Sequence, residues 1–498
     1  MLLQLQQMAT LKHIYDFVHS LDKTEKKSVS LLIDTLGGKA KERYAHTFKI
    51  LNEQKTFDAD KLKPKLAKDV SGMNLTEAND NFFNFLCKCI VSHPVQSSGN
   101  LGLLKEMVLV ETFISKGLFD LADKHLEPLI QKLQKGNSFG LLSRGQELQS
   151  IVTASNASTT GDFKRRKQLI AERMQTAVDH QQYLQVMQLN QELNELIHNI
   201  GEPREAAHFE QYRKIYHHPV WRLSYAEVSR QAFTMYAPLK TQIFEIVEGS
   251  RAAIAECEIA LAEFHKRFNL SDHYVPAFYL LDNVLSDSIR IKGKEEVNKY
   301  TQALRELLPY IQQVAVYQKV QAKIMQGELS SALITKDYEA GVKTLEAWMQ
   351  PPLLETWAAA PLAYMNHLFG ARLHYMNNNP ERALDYLNML QGQEKDFRAS
   401  SLLSYRFLYL FCYYQLNNHS LIFSTATSIY KSLLKQEKLY APERAILKFS
   451  KASGTVEKMK SNLNELYETL KALSEDPFHH TFFQFADYVE WLEKELKK

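Results

Sequence analysis

Residues 366–391, NHLFGARLHYMNNNPERALDYLNMLQ, decide the fold. Two apolar runs at helical spacing flank a short polar turn, Asn377-Asn378-Asn379. Pro380 opens the second run, at the first helical position, where its missing N–H costs nothing. The small residues Ala371 and Ala383 sit where two helices must approach closely. The stretch reads as one helix–turn–helix unit, and the rest of the chain is expected to repeat it loosely.

The neighbouring sequence supplies the copies. Asp337-Tyr338-Glu339 opens a run with Gly341, Val342, Leu345 and Trp348, as Asn379-Pro380-Glu381 opens one with Ala383, Leu384, Leu387 and Leu390. Gly341 and Ala383 are 42 residues apart (383 minus 341), and a third turn, Asn417-Asn418-His419-Ser420, lies 39 beyond Asn378 (417 minus 378). That period is longer than the 34 residues of the tetratricopeptide unit and overlaps HEAT-type periods. Further upstream, Ala122, Leu126 and Leu129 match Ala383, Leu387 and Leu390 in spacing.

The remaining segments also read as helices. Residues 9–36 hold two short ones, ended by Gly37-Gly38 as a C-cap, and others follow near 40–54, 58–70 and 76–92. The turn-rich 94–100 marks a boundary, and TASNASTTG (153–161) reads as a loop. Residues 162–200 predict a long hairpin or helix pair, and 239–268 one long helix or a kinked pair. The expected organisation is an N-terminal helical module (1–95), a central helical region (96–325) and a more regular C-terminal region (326–498).

Composition agrees with an all-α chain. Its 18 Gly and 14 Pro are few for 498 residues, where average usage gives about 35 and 25. Turn-rich β architectures need both residues. A net charge of +3 is too balanced to point to nucleic acid or a membrane surface. Dispersed Cys87, Cys89, Cys257 and Cys412 fit reduced thiols and predict a cytoplasmic protein. No apolar run is long enough to insert in a membrane, and the first residues, MLLQLQQMATLKHIYDF, have no signal-peptide pattern.

Several constellations invite a chemical reading and fail on spacing. Gly37-Gly38-Lys39-Ala40 lacks the first glycine and the hydroxyl residue of a phosphate loop. On a helix, Cys87 and Cys89 point about 200° apart, so they and His93 make a poor metal site. Glu205-x-x-His208 has the spacing of a di-iron helix but no second copy. His217-His218 and His479-His480 sit at helix ends beside proline. Lys164-Arg165-Arg166-Lys167 spreads its charge around a helix, as a solvated helix start does, the alternative being an acidic partner or nucleic acid. No catalytic, metal or cofactor residue is predicted, and no nucleophile–base pair shows a diagnostic local spacing.

The helix SYRFLYLFCYYQL (404–416) carries the functional expectation. Phe407, Leu410, Phe411 and Tyr414 form a core stripe. Tyr405, Tyr409 and Tyr413 form a second, with Arg406 beside it, and Tyr and Arg are favoured at protein interfaces. Either this stripe faces a groove, or neighbouring helices bury the helix on both sides.

The runs NPERALDYL, DYEAGVKTL and FDLADKHL resemble the second helix of tetratricopeptide repeats over 101–135 and 330–440. The first-helix motif is degraded, since Phe369-Gly370-Ala371 keeps the small residue without the usual Trp. Residues 20–27 (SLDKTEKK) with 215–219 (IYHHP) resemble an uncharacterised bacterial group of tetratricopeptide-like proteins. The resemblance implies a right-handed superhelix of antiparallel helix pairs. Its concave face would bind a peptide or partner protein, with Tyr405, Arg406, Tyr409 and Tyr413 as contacts and no enzyme activity. The alternative is a helical regulator that senses a small ligand or peptide in a closed pocket.

Overall fold

The computed structural model describes residues 10–21, 23–54, 56–67, 75–92, 100–135, 138–160, 163–351, 353–354, 364–390, 399–435, 439–451, 456–479, 482–483 and 488–497. All regular structure among them is helical. Two compact units divide the chain, 1–135 with 147–161, and 136–146 with 162–498.

The first unit holds α1 (Leu11–Ser20), α2 (Lys23–Asp34), α3 (Gly38–Glu53), α4 (Ala59–Ala67), α5 (Leu75–Ser92), α6 (Asn100–Ser115) and α7 (Phe119–Lys135). Apolar faces of the first five bury Ile14, Val18, Val29, Ile33, Leu51, Leu62, Phe82 and Leu86 together. Helices α6 and α7 pair with each other. Helix α8 (Phe139–Thr160) contributes its start to the second unit and its remainder to the first. The expected loop at 153–161 is therefore helical through Thr160. Ser, Thr and Asn cost only tenths of a kcal/mol each within a helix, and no Gly or Pro interrupts the run before Gly161.

The second unit continues with α9 (Phe163–Asn199), α10 (Ala206–Tyr216), α11 (Arg230–Glu248), α12 (Ser250–Arg267), α13 (Leu270–Arg290), α14 (Lys294–Leu307), α15 (Val314–Thr335) and α16 (Tyr338–Trp348). Then come α17 (Tyr364–Met376), α18 (Pro380–Asn388), α19 (Ala399–Gln415), α20 (His419–Lys435), α21 (Ala441–Lys451), α22 (Val456–Ser474) and α23 (Tyr488–Leu496). Consecutive helices pack on one another, and one buried apolar cluster runs from Val186 to Leu492. No break in this core falls at 325. Within 162–200, Phe163–Asn199 form one 37-residue helix. Residues 239–268 are divided at Gly249, whose φ of +88° an L side chain rarely adopts. Pro238 lies inside α11 without ending it.

One turn recurs between paired helices. Gly117, Lys292, Lys336, Asn378 and Asn417 all have left-handed backbone. The next N–H then reaches back five residues, donating from Leu118 to Phe113 O, Gly293 to Ser288 O, Asp337 to Ala332 O, Asn379 to His374 O and Asn418 to Tyr413 O, at 2.9–3.0 Å. This satisfies carbonyls that a helix end leaves without partners. In the last three turns the same residue caps the next helix. Asp337, Asn379 and Asn418 accept through Oδ1 from the N–H of Ala340, Arg382 and Leu421 at 3.1, 3.2 and 3.3 Å. The left-handed residues from Lys292 onward are spaced by 44, 42 and 39 residues (336−292, 378−336, 417−378).

Close helix approach needs small residues between these turns. Ala371 and Ala383 are fully buried. A Cβ on Gly341 would stand 2.6 Å from Leu373 Cδ2 and 2.9 Å from Ala332 Cβ. The unit also carries a long-range ion pair. Arg204, just before α10, holds Glu443 of α21 at 3.0 Å, and its guanidinium lies 4.5 Å from the Tyr440 ring centroid. Glu443 is wholly buried.

Gly341→Ala is expected to lower unfolding free energy by about 1–3 kcal/mol, because overpacking outweighs the gain in helix propensity. Urea titration followed by circular dichroism measures it. An unchanged or higher midpoint contradicts the close approach described.

Candidate functional site

Helix α19 has two covered sides. On one, Tyr409 Oη donates to Asn388 Oδ1 of α18 at 2.8 Å, and Tyr405 and Tyr413 flank it with ring centroids 5.1 and 5.8 Å away. Arg406 Nη1 donates to Ser432 Oγ of α20 at 2.9 Å. Tyr405 and Tyr409 are only 4% and 8% exposed. The open groove expected along Tyr405, Arg406, Tyr409 and Tyr413 is therefore closed at its two buried tyrosines. The reason is packing of α18 on that side, with Asn388 taking the Tyr409 hydroxyl. Tyr413 and Arg406 remain partly exposed.

The other side of α19 faces α23. Trp491 packs on Phe411 and Tyr414 with ring centroids 4.6 and 5.4 Å apart, and on Tyr375 of α17 at 6.2 Å. Tyr488 stacks beside Phe411 at 5.1 Å. The next turn of α23 reaches the start of α16. Glu490 pairs with Lys336 at 3.1 Å, and Lys494 lies 5.1 Å from the Tyr338 ring centroid. Helix α23 thus crosses the ends of α15, α17 and α19. Its apolar face meets aromatic rings, and its charged face meets the Lys336 turn. Burial pushes the Tyr414 phenol up and that of Tyr375 well above the usual range. Neither phenol is poised to give up a proton near neutrality.

Two partly buried charge clusters, built around the buried Asp287 and Lys240, lie elsewhere in the second unit. Arg290 of α13 holds Glu245 at 2.6 Å, Asp287 at 3.3 Å and Glu202 at 3.6 Å. Lys240 of α11 pairs with Glu256 of α12 at 2.9 Å, with the Tyr225 ring centroid 4.8 Å away. Sequence reasoning missed both. Only Asp287 and Arg290 share a local i, i+3 spacing; Glu202, Glu245, Lys240 and Glu256 are brought in from separate segments. Lys240 and Glu256 pair one to one, whereas Arg290 is shared by three carboxylates, Glu202, Glu245 and Asp287.

The other sequence candidates are scattered. Cys89 is buried and its thiol is pushed up to about 11 by burial, while His93 lies outside the described residues. Glu205 and His208 touch each other at 3.1 Å on the first turn of α10. Among the described residues, no three His, Cys, Asp or Glu side chains are placed to hold a metal ion. No described helix is long and apolar enough to cross a membrane.

Burial, reinforced by Glu245, raises the Asp287 carboxyl to about 7 against the pull of Arg290. The native state thus binds a proton that the unfolded chain, titrating in the ordinary Asp range, releases. The stability this proton confers is full at acid pH and is lost as pH rises through about 7. Asp287→Asn has no such proton. The melting temperature of the wild type minus that of Asp287→Asn should fall steadily from acid to neutral pH, by differential scanning fluorimetry. A difference independent of pH sinks this assignment.

No protein-family model matches the chain, and no curated protein matches it. A functional reading therefore rests on the chain's own geometry.

Proposed function

We propose that the chain is a non-enzymatic scaffold for protein–protein interaction. In this reading the helix pairs stack as a tetratricopeptide-like α-solenoid, a right-handed superhelix whose concave face takes a peptide or partner protein. One observation carries it: α23 already lies across the ends of α15, α17 and α19, held by Trp491 and Tyr488 on aromatic rings. A face that holds one amphipathic helix in this way has the chemistry for helix-in-groove recognition. Stacking supplies the reason for such a face, because a helix pair cannot bury its apolar side alone and leaves an extended surface when it stacks. The free thiols of Cys87, Cys89, Cys257 and Cys412 fit a reducing, cytoplasmic setting.

The test is affinity capture with the full chain from its native cells, followed by titration of each recovered protein, purified, against the purified chain. The expected outcome is at least one partner with micromolar or tighter affinity. Tyr488→Ala/Trp491→Ala, which loosens α23, should change that affinity when the partner uses the same face. If no recovered protein binds in purified form, to wild type or variant, the scaffold reading falls.

A further inference from the structure

Helices α20 and α21 border an open cleft of about 620 Å³, lined by Tyr430, Leu434, Leu439, Arg444, Leu447, Lys448 and Lys451. This lies inside the range of about 300–1,000 Å³ typical of ligand-sized clefts. Its two walls differ in chemistry. On α20, Tyr430 and Leu434 stand at i, i+4, and Leu434 is 56% exposed. Phe423, seven residues before Tyr430, is equally exposed and extends the apolar strip along the same helix face. On α21, Arg444, Lys448 and Lys451 stand at i, i+4, i+7 and form one cationic stripe. Leu447 is buried between the two walls.

These cations are weakly engaged. Lys451 Nζ sits 3.6 Å above the Tyr430 ring centroid, with no carboxylate partner among the described residues. Arg444 Nε donates to Leu439 O at 2.9 Å. Lys448 meets Glu465 at 2.9 Å, but both side chains are mostly exposed, and such a pair contributes little. Lys431 and Lys435 are exposed on α20 close by. An apolar strip beside a cationic stripe on antiparallel walls calls for a ligand with the complementary pattern.

We infer that this cleft docks an acidic amphipathic peptide segment of a partner protein. Its Leu or Phe side chains would rest on Phe423, Tyr430 and Leu434, and its Asp or Glu carboxylates would meet Arg444, Lys448 and Lys451. A nucleic acid is disfavoured, because the three cations flank buried and exposed leucines instead of tracking a phosphate backbone. This inference names the partner class for the scaffold reading and rests on it, at a site separate from the face covered by α23.

The probes are synthetic fluorescein-labelled peptides, titrated with the full chain and read by anisotropy. One carries Glu and Leu/Phe at helical spacing, a second replaces Glu by Gln, and a third replaces Leu/Phe by Ser. The first should bind, weaken with added salt, and exceed each of the other two by about tenfold. Lys448→Glu/Lys451→Glu, with circular dichroism unchanged, should weaken it by about tenfold, and so should Leu434→Ser. Lack of binding, or binding indifferent to these variants, overturns the cleft. So does single-stranded DNA that binds more tightly than the peptide. Binding that survives the variants removes the cleft alone and leaves the scaffold reading, which the capture experiment decides separately.

Discussion

A single backbone hydrogen bond organises the paired helices. At five left-handed turns an N–H reaches back five residues and closes the end of the preceding helix, as Asn379 does onto His374. The chain reverses within two or three residues, so the next helix must run antiparallel and close to the last. That geometry fixes which residues meet across these pairs. Gly341 is tolerated because Leu373 and Ala332 occupy its missing side chain's space. Asp337, Asn379 and Asn418 serve twice, ending one helix with the backbone and opening the next with the side chain. Lys292 and Lys336 hold the same left-handed backbone without the Asn preference for it. Their strain is maintained by the packing on either side.

Antiparallel pairs leave each helix with two flanks to cover. Helix α19 shows how completely this is done. One flank gives its Tyr409 hydroxyl to α18, and the other gives Phe411 and Tyr414 to Trp491 of α23. The aromatic richness of α19 is thus the consequence of being packed from both sides. A cleft lies beside the next helices, α20 and α21, where Leu434 is exposed.

Local rules made much of this legible. The turn at Asn378-Asn379, the cap at Asp337 and the periodicity of the last third depend on residues within five of each other, and the sequence displays them directly. The single long α9 and the helical continuation through Thr160 were harder, because propensity differences of tenths of a kcal/mol do not decide between helix and loop. The site was less legible still. Tyr405, Tyr409 and Tyr413 have the composition of an interface, yet which flank a neighbour covers is set by α18 and α23, whose placement no local spacing encodes. The Arg290 cluster was invisible for the same reason, its carboxylates arriving from Glu202 and Glu245.

The pairing of Arg204 with Glu443 spans 239 positions in the sequence. Contacts this far apart in sequence tie together segments that helices packed only on their sequence neighbours would leave independent. Deleting or duplicating an internal pair between α11 and α20 would move one ion away from the other and strand a carboxylate with no access to water. The stretch between these two residues is consequently held to a length that brings both ions together.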